Sequence, residues 1–157
     1  MEKHQRKPKT RQAKPEVKPD GLKVWSWDLT YIALGPICVY LFAIIDVFSR
    51  KIVGWHLGFN ARVESMKKAW DKALVNENLI GVSGAQKLPI TLSDHGVQMA
   101  KKTAKQFFKD LGIKQLFARY QTPQDNAWIE SWFRILKYDW LQHKDYVSFE
   151  QIKTIIR

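Results

Sequence analysis

The chain has 157 residues, the size of a single domain, and its 26 Lys and Arg against 15 Asp and Glu give a formal net charge of +11. A charge of this size and sign favours a polyanionic partner, with nucleic acid ahead of a membrane surface, over a small neutral metabolite. The single cysteine, Cys38, excludes an internal disulfide and a cysteine-rich zinc module, and the longest apolar run, residues 37–45, is too short to cross a bilayer as a helix, so we expect a soluble cytoplasmic protein.

Residues 1–22 are predicted to form a basic, flexible arm or linker. The first 19 residues contain seven Lys or Arg, two Glu and three Pro, with almost no apolar side chains. Such a segment cannot bury enough apolar surface to offset the entropy lost on ordering. A linker from an upstream domain and a direct DNA contact are both compatible with it. We expect the folded core to occupy residues 23–157 and to end within its closing helix.

The first part of this core is predicted to be a meander of three antiparallel strands. In the first strand polar residues, Asp28 among them, alternate with the apolar residues Trp25, Trp27, Leu29 and Tyr31. This period of two predicts one apolar face and one polar face, with Asp28 on the polar face. The continuous apolar run at 37–45 is typical of a strand buried on both sides. A turn that begins at Asp46 then leads into a third strand at 51–57.

Helices and strands alternate in the remainder. Apolar residues three or four positions apart predict a helix at 63–74, and a loop at 76–87 separates it from a short strand, 89–93, that ends at Asp94. A second helix stops at Gly112, a fifth strand follows at 113–117, and Ser148 is expected to open a fourth helix. The third helix is predicted to turn these residues inward: Ile129, Trp132, Phe133, Leu136 and Trp140. The pattern indicates an α/β fold in which helices flank a five-stranded mixed sheet.

Three carboxylates, those of Asp28, Asp94 and Glu130, are candidates for a shared metal site. They are expected in the first strand, at the carboxyl end of a later parallel strand and one turn into the third helix, which makes a common pocket plausible. Hard cations such as Mg²⁺ prefer oxygen ligands, and a pair of them can assist phosphodiester chemistry. The gap of 35 residues between the second and third acid is a weak signal by itself. Each acid also has a plainer interpretation: a polar strand residue, a turn former before Gly96, and an ion-pair partner of Arg134.

One face of the third helix is predicted to carry Asn126, Glu130, Arg134 and Lys137, which lie three or four positions apart. An acid flanked by an amide and two cations, opposite an apolar stripe, favours a surface that faces phosphates and has a metal ligand at its upper end. The alternative is an ordinary solvated face in which Glu130 pairs with Arg134, an interaction worth about 0.2–0.5 kcal/mol.

Four blocks of sequence, in a fixed order, carry a family resemblance. They are Val24-Trp-Ser-Trp-Asp-Leu-Thr-Tyr, Ile45-Asp-Val-Phe-Ser-Arg-Lys-Ile-Val-Gly-Trp, Leu92-Ser-Asp-His-Gly-Val-Gln and Thr122-Pro-Gln-Asp-Asn-Ala-Trp-Ile-Glu-Ser-Trp-Phe-Arg-Ile-Leu-Lys. Over residues 23–157 the chain resembles the catalytic core of DDE transposases of bacterial insertion sequences, a group related to retroviral integrases. The resemblance implies an RNase H-like fold.

The resemblance also implies that Asp28, Asp94 and Glu130 are the catalytic residues and bind two Mg²⁺ or Mn²⁺ ions. In such enzymes water first cuts the end of the mobile element, and the freed 3′-hydroxyl then attacks target DNA, with no covalent enzyme intermediate. Asp46 belongs to the second block, but we expect it to have a structural or supporting role. His95 is expected to be a loop residue without a catalytic duty.

DNA is the partner that the resemblance implies, as transposon ends and as target. Positions that correspond to Asn126, Arg134 and Lys137 contact or position DNA in integrase relatives, and synapsis of two ends implies a homodimer or larger oligomer on DNA. Two other functions stay open. One is an RNase H-type nuclease that cuts RNA in hybrids, although such enzymes generally use four carboxylates in a different order. The other is a catalytically incompetent transposase remnant that binds DNA.

Overall fold

The fold is built on a five-stranded mixed sheet. The structure is a computed structural model that describes residues 23–83, 88–93, 101–117 and 127–157, so the predicted arm at 1–22 lies outside the described residues. The strands are β1 (Val24–Leu34), β2 (Ile37–Asp46), β3 (Ile52–Gly58), β4 (Ile90–Ser93) and β5 (Gln115–Phe117). The first three are antiparallel neighbours, whereas β4 runs parallel to β1 and β5 parallel to β4. The order β3-β2-β1-β4-β5 confirms the predicted mixed sheet and makes β1 its central strand.

β1 is covered on both of its faces, which the alternating pattern did not predict. Trp25 and Trp27 are buried on one side as expected. Ser26, on the side predicted to be polar and open, is also fully buried, with 0% exposure. The reason is that β1 is central, so helices pack against the sheet on both sides of it.

The hairpin between β1 and β2 extends past these helices. Tyr31 was expected on the apolar face, yet it is 62% exposed, because the cluster on that face ends at Leu29. Ile37 at the start of β2 is 48% exposed, so the predicted burial of this strand holds only from Val39 onward. Gly35 has φ +57°, a left-handed conformation that favours glycine, and it lies in the turn that joins the two strands.

Two helices, α1 (Val63–Asn76) and α2 (Lys101–Asp110), cover one face of the sheet. Their buried residues form one apolar cluster with the two tryptophans of β1. Within it the rings of Trp70 and Phe108 meet edge to face, with their centroids 4.8 Å apart. Gly112 has φ +71° just after α2, which agrees with the predicted end of that helix.

α1 approaches β3 most closely at Gly54. A methyl group at this position would lie 2.5 Å from the carbonyl oxygen of Ala69 and 2.6 Å from Cβ of Ala73. Real side chains do not tolerate such distances, so a residue without a side chain is required for the helix to rest on the strand. The contact fixes α1 against this edge of the sheet.

The opposite face is covered by α3 (Ala127–Ile135), a π-helical segment (Leu136–Leu141) and α4 (Phe149–Ile156). The prediction that Trp140 points inward is wrong, because this residue is 41% exposed and Leu141 is buried instead. A π-helix bonds residue i to residue i+5, which moves the inward position after Leu136 from 140 to 141. Ser148 caps α4 as predicted, since its Oγ accepts a hydrogen bond from the N–H of Gln151.

The helices are short. α1 has 14 residues. Across the ranges that the structure describes, no helix is both long enough and apolar enough to cross a membrane.

Candidate active site

Asp28 lies on the central strand, on the face of the sheet that α3 covers. It pairs with Ala43 of β2, whose side chain shares an apolar cluster with Ile129 and Phe133 of α3. Its carboxylate is partly buried, and Oδ1 accepts a hydrogen bond of 2.8 Å from the N–H of Leu29. Asp28 is therefore in the strand where the pattern predicted it, on the same side of the sheet as the helix that carries Glu130.

Glu130 is exposed in the first turn of α3. The residue before it, Ile129, is fully buried against the sheet, so Glu130 borders the packed face of the helix. The plainer interpretation of this glutamate was an ion pair with Arg134. Both residues are described by the structure, and no ion pair joins them. The carboxylate thus lies at the helix end whose dipole favours negative charge.

Arg134 and Lys137 follow Glu130 but have different surroundings. Arg134 is exposed one helical turn later. Lys137 belongs to the π-helical segment, so it does not continue the α-helical spacing that placed it in line with Glu130. Its Nζ lies 4.6 Å from the centroid of the Tyr31 ring, and burial lowers the pKa of this amine below its usual value. Glu130, Arg134 and Lys137 therefore do not all share one α-helical face, although the sequence pattern predicted that they would.

Two of the predicted site residues, Asp94 and Asn126, lie outside the described residues, as does His95. β4 ends at Ser93, and α3 begins at Ala127. The structure therefore does not test the predicted roles of these residues.

Asp46 closes the turn between β2 and β3. Its Oδ1 accepts hydrogen bonds from the N–H of Phe48 at 3.1 Å, the N–H of Ser49 at 2.7 Å and Oγ of Ser49 at 2.9 Å. Its own N–H donates to the carbonyl oxygen of Lys51 at 2.9 Å. These bonds give Asp46 the structural role that we expected for it.

The same turn contacts the start of α3 through Arg50. The guanidinium carbon lies 3.1 Å from the centroid of the Trp128 ring, and Nη1 donates to the carbonyl oxygen of Val47. Trp128 is two residues before Glu130, so the stacked pair helps to fix the helical turn that carries this acid. Sequence reasoning missed the contact. Both residues stand in the matched blocks, but no local pattern pairs them.

Replacing Arg50 with alanine is expected to lower the free energy of unfolding by about 1–2 kcal/mol, because a cation–π contact and a hydrogen bond to a carbonyl are lost together. Urea unfolding measures the change. The adjacent substitution Lys51→Ala is the matched control, since it removes an exposed ion pair of 2.6 Å with Glu77 and should cost about 0.5 kcal/mol or less. Equal losses in the two variants would contradict a specific role for the stack.

The oxygen donors at this site suit a hard divalent cation. Asp28 and Glu130 each offer a carboxylate, the ligand type preferred by Mg²⁺ and Mn²⁺ rather than by metals that select sulfur or imidazole. Within residues 23–83, 88–93, 101–117 and 127–157, no three His, Cys, Asp or Glu side chains come together. The third predicted acid, Asp94, is outside those ranges.

Comparison with known proteins assigns the chain to a family. The family model described as "Integrase core domain" matches residues 20–123. The chain belongs to the integrase core domain family. The matched range includes the first three sequence blocks and both predicted aspartates, Asp28 and Asp94, whereas Glu130 follows it.

Curated relatives of this integrase core are bacterial transposases. The transposase for insertion sequence element IS904 of Lactococcus lactis subsp. lactis (strain IL1403) is 32% identical over 115 residues, which are 73% of this chain and 43% of the relative. The putative transposase InsK for insertion sequence element IS150 of Escherichia coli (strain K12) is 24% identical over 132 residues, 84% of this chain and 44% of the relative. The chain thus spans less than half the length of either relative.

Solved structures share the fold of this integrase core. The HTLV-2 integrase catalytic core domain in complex with magnesium, in its dimeric form, superposes with a TM-score of 0.60 at 16% identity, covering 86% of this chain and 85% of that one. A chain of the simian T-cell lymphotropic virus intasome has a TM-score of 0.70 at 14% identity, covering 95% of this chain and 52% of that one. The predicted RNase H-like fold is confirmed.

Proposed function

We propose that this chain is the catalytic core of a DNA transposase of the insertion-sequence type. It hydrolyses a phosphodiester at the end of a mobile element and joins the freed 3′-hydroxyl to target DNA. The match of the integrase core domain model to residues 20–123 carries the proposal. The net charge of +11 supports DNA as the substrate.

Asp28, Asp94 and Glu130 are the proposed catalytic carboxylates. Support for pairing the two aspartates comes from the register, in which Ser26 of β1 lies beside Leu92 of β4. Asp28 and Asp94 each follow this pair by two residues. We propose that the chain stays extended for one residue beyond β4, and the two carboxylates would then share a face, since side chains of an extended chain return to the same face every two residues. That face is the one on which the helix of Glu130 packs.

The same three residues would hold two Mg²⁺ or Mn²⁺ ions. Bound divalent ions would supply the positive charge that stabilises an in-line phosphoryl displacement. The protein's own part is to fix the carboxylates, and Asp28 is fixed by the central strand and Glu130 by the turn of α3 that Trp128 anchors. The exposure of Glu130 leaves its oxygens accessible to a cation.

Asn126, Arg134 and Lys137 are the proposed DNA contacts near the site. Arg134 is exposed beside Glu130, and its guanidinium matches the geometry of a phosphate. Residues 1–22 are proposed to be a basic arm or linker. The chain would act in the bacterial cytoplasm, on the DNA of the nucleoid, and as a dimer or larger oligomer, which is in line with the dimeric HTLV-2 core.

A joining assay tests this function. The protein is incubated with Mn²⁺ and labelled duplexes that carry the repeats flanking its own gene, and products longer than the input strand are expected. An RNA–DNA hybrid is tested in parallel, and metal-dependent cutting of the hybrid without joining would favour the nuclease. Salt-dependent DNA binding with neither activity would instead favour the inactive remnant.

A further inference from the structure

Cations from both faces of the sheet gather around its edge strand, β3. Lys68 and Lys72 come from α1 and Lys153 and Arg157 from the region of α4, and we call these four residues the edge cation cluster. The charges of three of them, Lys68, Lys72 and Lys153, act on His56, which pairs with Phe42 on the α1 side of the sheet. Nζ of Lys72 lies 5.2 Å from the centroid of the ring of Trp55, the neighbouring residue of β3.

The charges of this cluster are poorly compensated. Lys153 is paired with Glu150 at 3.4 Å, whereas Lys68, Lys72 and Arg157 form no ion pair with any residue that the structure describes. Burial and then the charges of Lys153, Arg157 and Lys68 lower the pKa of Lys72. Uncompensated cations that repel one another are stabilised when a polyanion binds, because each phosphate relieves part of the repulsion.

We propose that the edge cation cluster binds the sugar–phosphate backbone of duplex DNA as a second surface, separate from the candidate active site. The two surfaces are separate because β2 lies between β3 and the central strand that carries Asp28. The proposal rests on the proposed function in one respect, that DNA is the ligand. Binding there is independent of sequence, since the cluster offers point charges and no row of donors and acceptors for reading bases.

Two other roles for the cluster make different predictions. Lysines that lie beside an edge strand can simply prevent it from pairing with another chain, in which case their removal would promote aggregation and leave DNA affinity unchanged. An interface between two copies of this chain would bring the same cations together across a symmetry axis, which their charge opposes. A salt-dependent loss of DNA affinity is expected only for the proposed role.

Equilibrium binding without divalent metal gives the first test. A duplex of about 30 base pairs of arbitrary sequence is titrated with protein at several salt concentrations, and the double variant Lys68→Gln/Lys72→Gln is compared with the unaltered chain. Loss of two phosphate contacts should lower the magnitude of the slope of log K against log salt by about 2 and weaken binding roughly tenfold at low salt. The matched control is Lys102→Gln/Lys109→Gln, which removes two exposed cations from α2.

Equal losses in the two double variants would overturn the proposal, because net charge alone would then explain them. Unchanged binding of the Lys68/Lys72 variant, with or without aggregation, would overturn it as well. Joining activity is measured separately with metal. The chain can therefore fail to join DNA while the two double variants still differ in DNA affinity. The proposed joining activity and the proposed binding at the edge cation cluster are thus tested independently.

The titration of His56 gives a second test. The imidazole is faced by Lys68 and Lys72 from α1 and by Lys153 from α4, and burial followed by these charges lowers its pKa below the usual value of 6.5. Phosphates bound at the cluster should raise this pKa, which an NMR titration of the ring proton measures with and without saturating duplex. His56→Gln assigns the signal. A titration that DNA leaves unchanged would contradict binding at this edge.

Discussion

Replacing Glu130 with glutamine is expected to lower DNA joining by at least about 100-fold, since a lost metal ligand removes several kcal/mol of transition-state stabilisation. Glutamine keeps the size of the side chain and removes only its charge. Because Glu130 is exposed and has no ion pair among the described residues, the fold should be retained. The joining assay measures the activity, and circular dichroism checks the fold.

The matched control for this variant is Glu64→Gln. Glu64 is also an exposed glutamate in the first turn of a helix, but its helix, α1, covers the other face of the sheet. A melting scan adds a readout that does not depend on joining. Mn²⁺ should raise the melting temperature of the unaltered chain and of the control, because a ligand that binds only the folded state stabilises it, and should raise that of Glu130→Gln by less, since one of three carboxylate ligands is lost. Full joining by Glu130→Gln would remove this residue from the site.

Replacing Gly54 with alanine should lower the free energy of unfolding by about 3 kcal/mol, a larger loss than that expected for Arg50→Ala. The added methyl group would meet the carbonyl oxygen of Ala69 at 2.5 Å and Cβ of Ala73 at 2.6 Å. The first atom is part of the backbone of α1 and the second is the methyl carbon of an alanine. Neither can move away by a side-chain rotation. α1 would have to shift as a whole, which would disturb the packing of its own Trp70 against Trp25 and Phe108.

Gly58→Ala on the same strand is the control. The nearest atoms to a methyl group there would be Nε2 and Cδ2 of His56, at 3.2 and 3.6 Å, and Oγ of Ser65, at 3.6 Å, all of them side-chain atoms that can adjust. We expect a cost below about 1 kcal/mol. Urea unfolding of both variants measures the difference. Similar stabilities would show that α1 adjusts freely and that Gly54 is not a point of close contact.

The order of helices and strands could be predicted from sequence because local patterns decide it. Alternation in the first strand, the apolar run of the second and the capping serine at Ser148 each depend on residues close together in the chain. The errors arose where tertiary position decides. Nothing near Ser26 reveals that its strand is central, and the side-chain pattern around Trp140 does not distinguish a π-helical turn from an α-helical one.

The candidate site likewise has some features that local sequence patterns predict and others that depend on tertiary structure. The spacing of apolar residues assigned Asp28 to a strand and Glu130 to the first turn of a helix, and both assignments agree with the structure. The stack of Arg50 on Trp128 joins a turn to a helix far along the chain, so only the structure reveals it. The edge cation cluster draws its members from two regions far apart in the chain, α1 and α4 with the residue that follows it, and its charges are unremarkable in either one.

The close approach of α1 to β3 also affects how the edge cation cluster would bind DNA. Lys68 and Lys72 immediately precede Ala69 and Ala73, the two residues that rest on Gly54. The backbone of Lys68 and Lys72 is therefore fixed where α1 lies closest to β3, and the helix cannot shift along or rotate about its axis there. Association orders only the ends of the two side chains, so it loses less conformational entropy than it would on a mobile loop. Preorganisation of this kind lets a few charges act as a rigid template for a stiff, regularly spaced polymer.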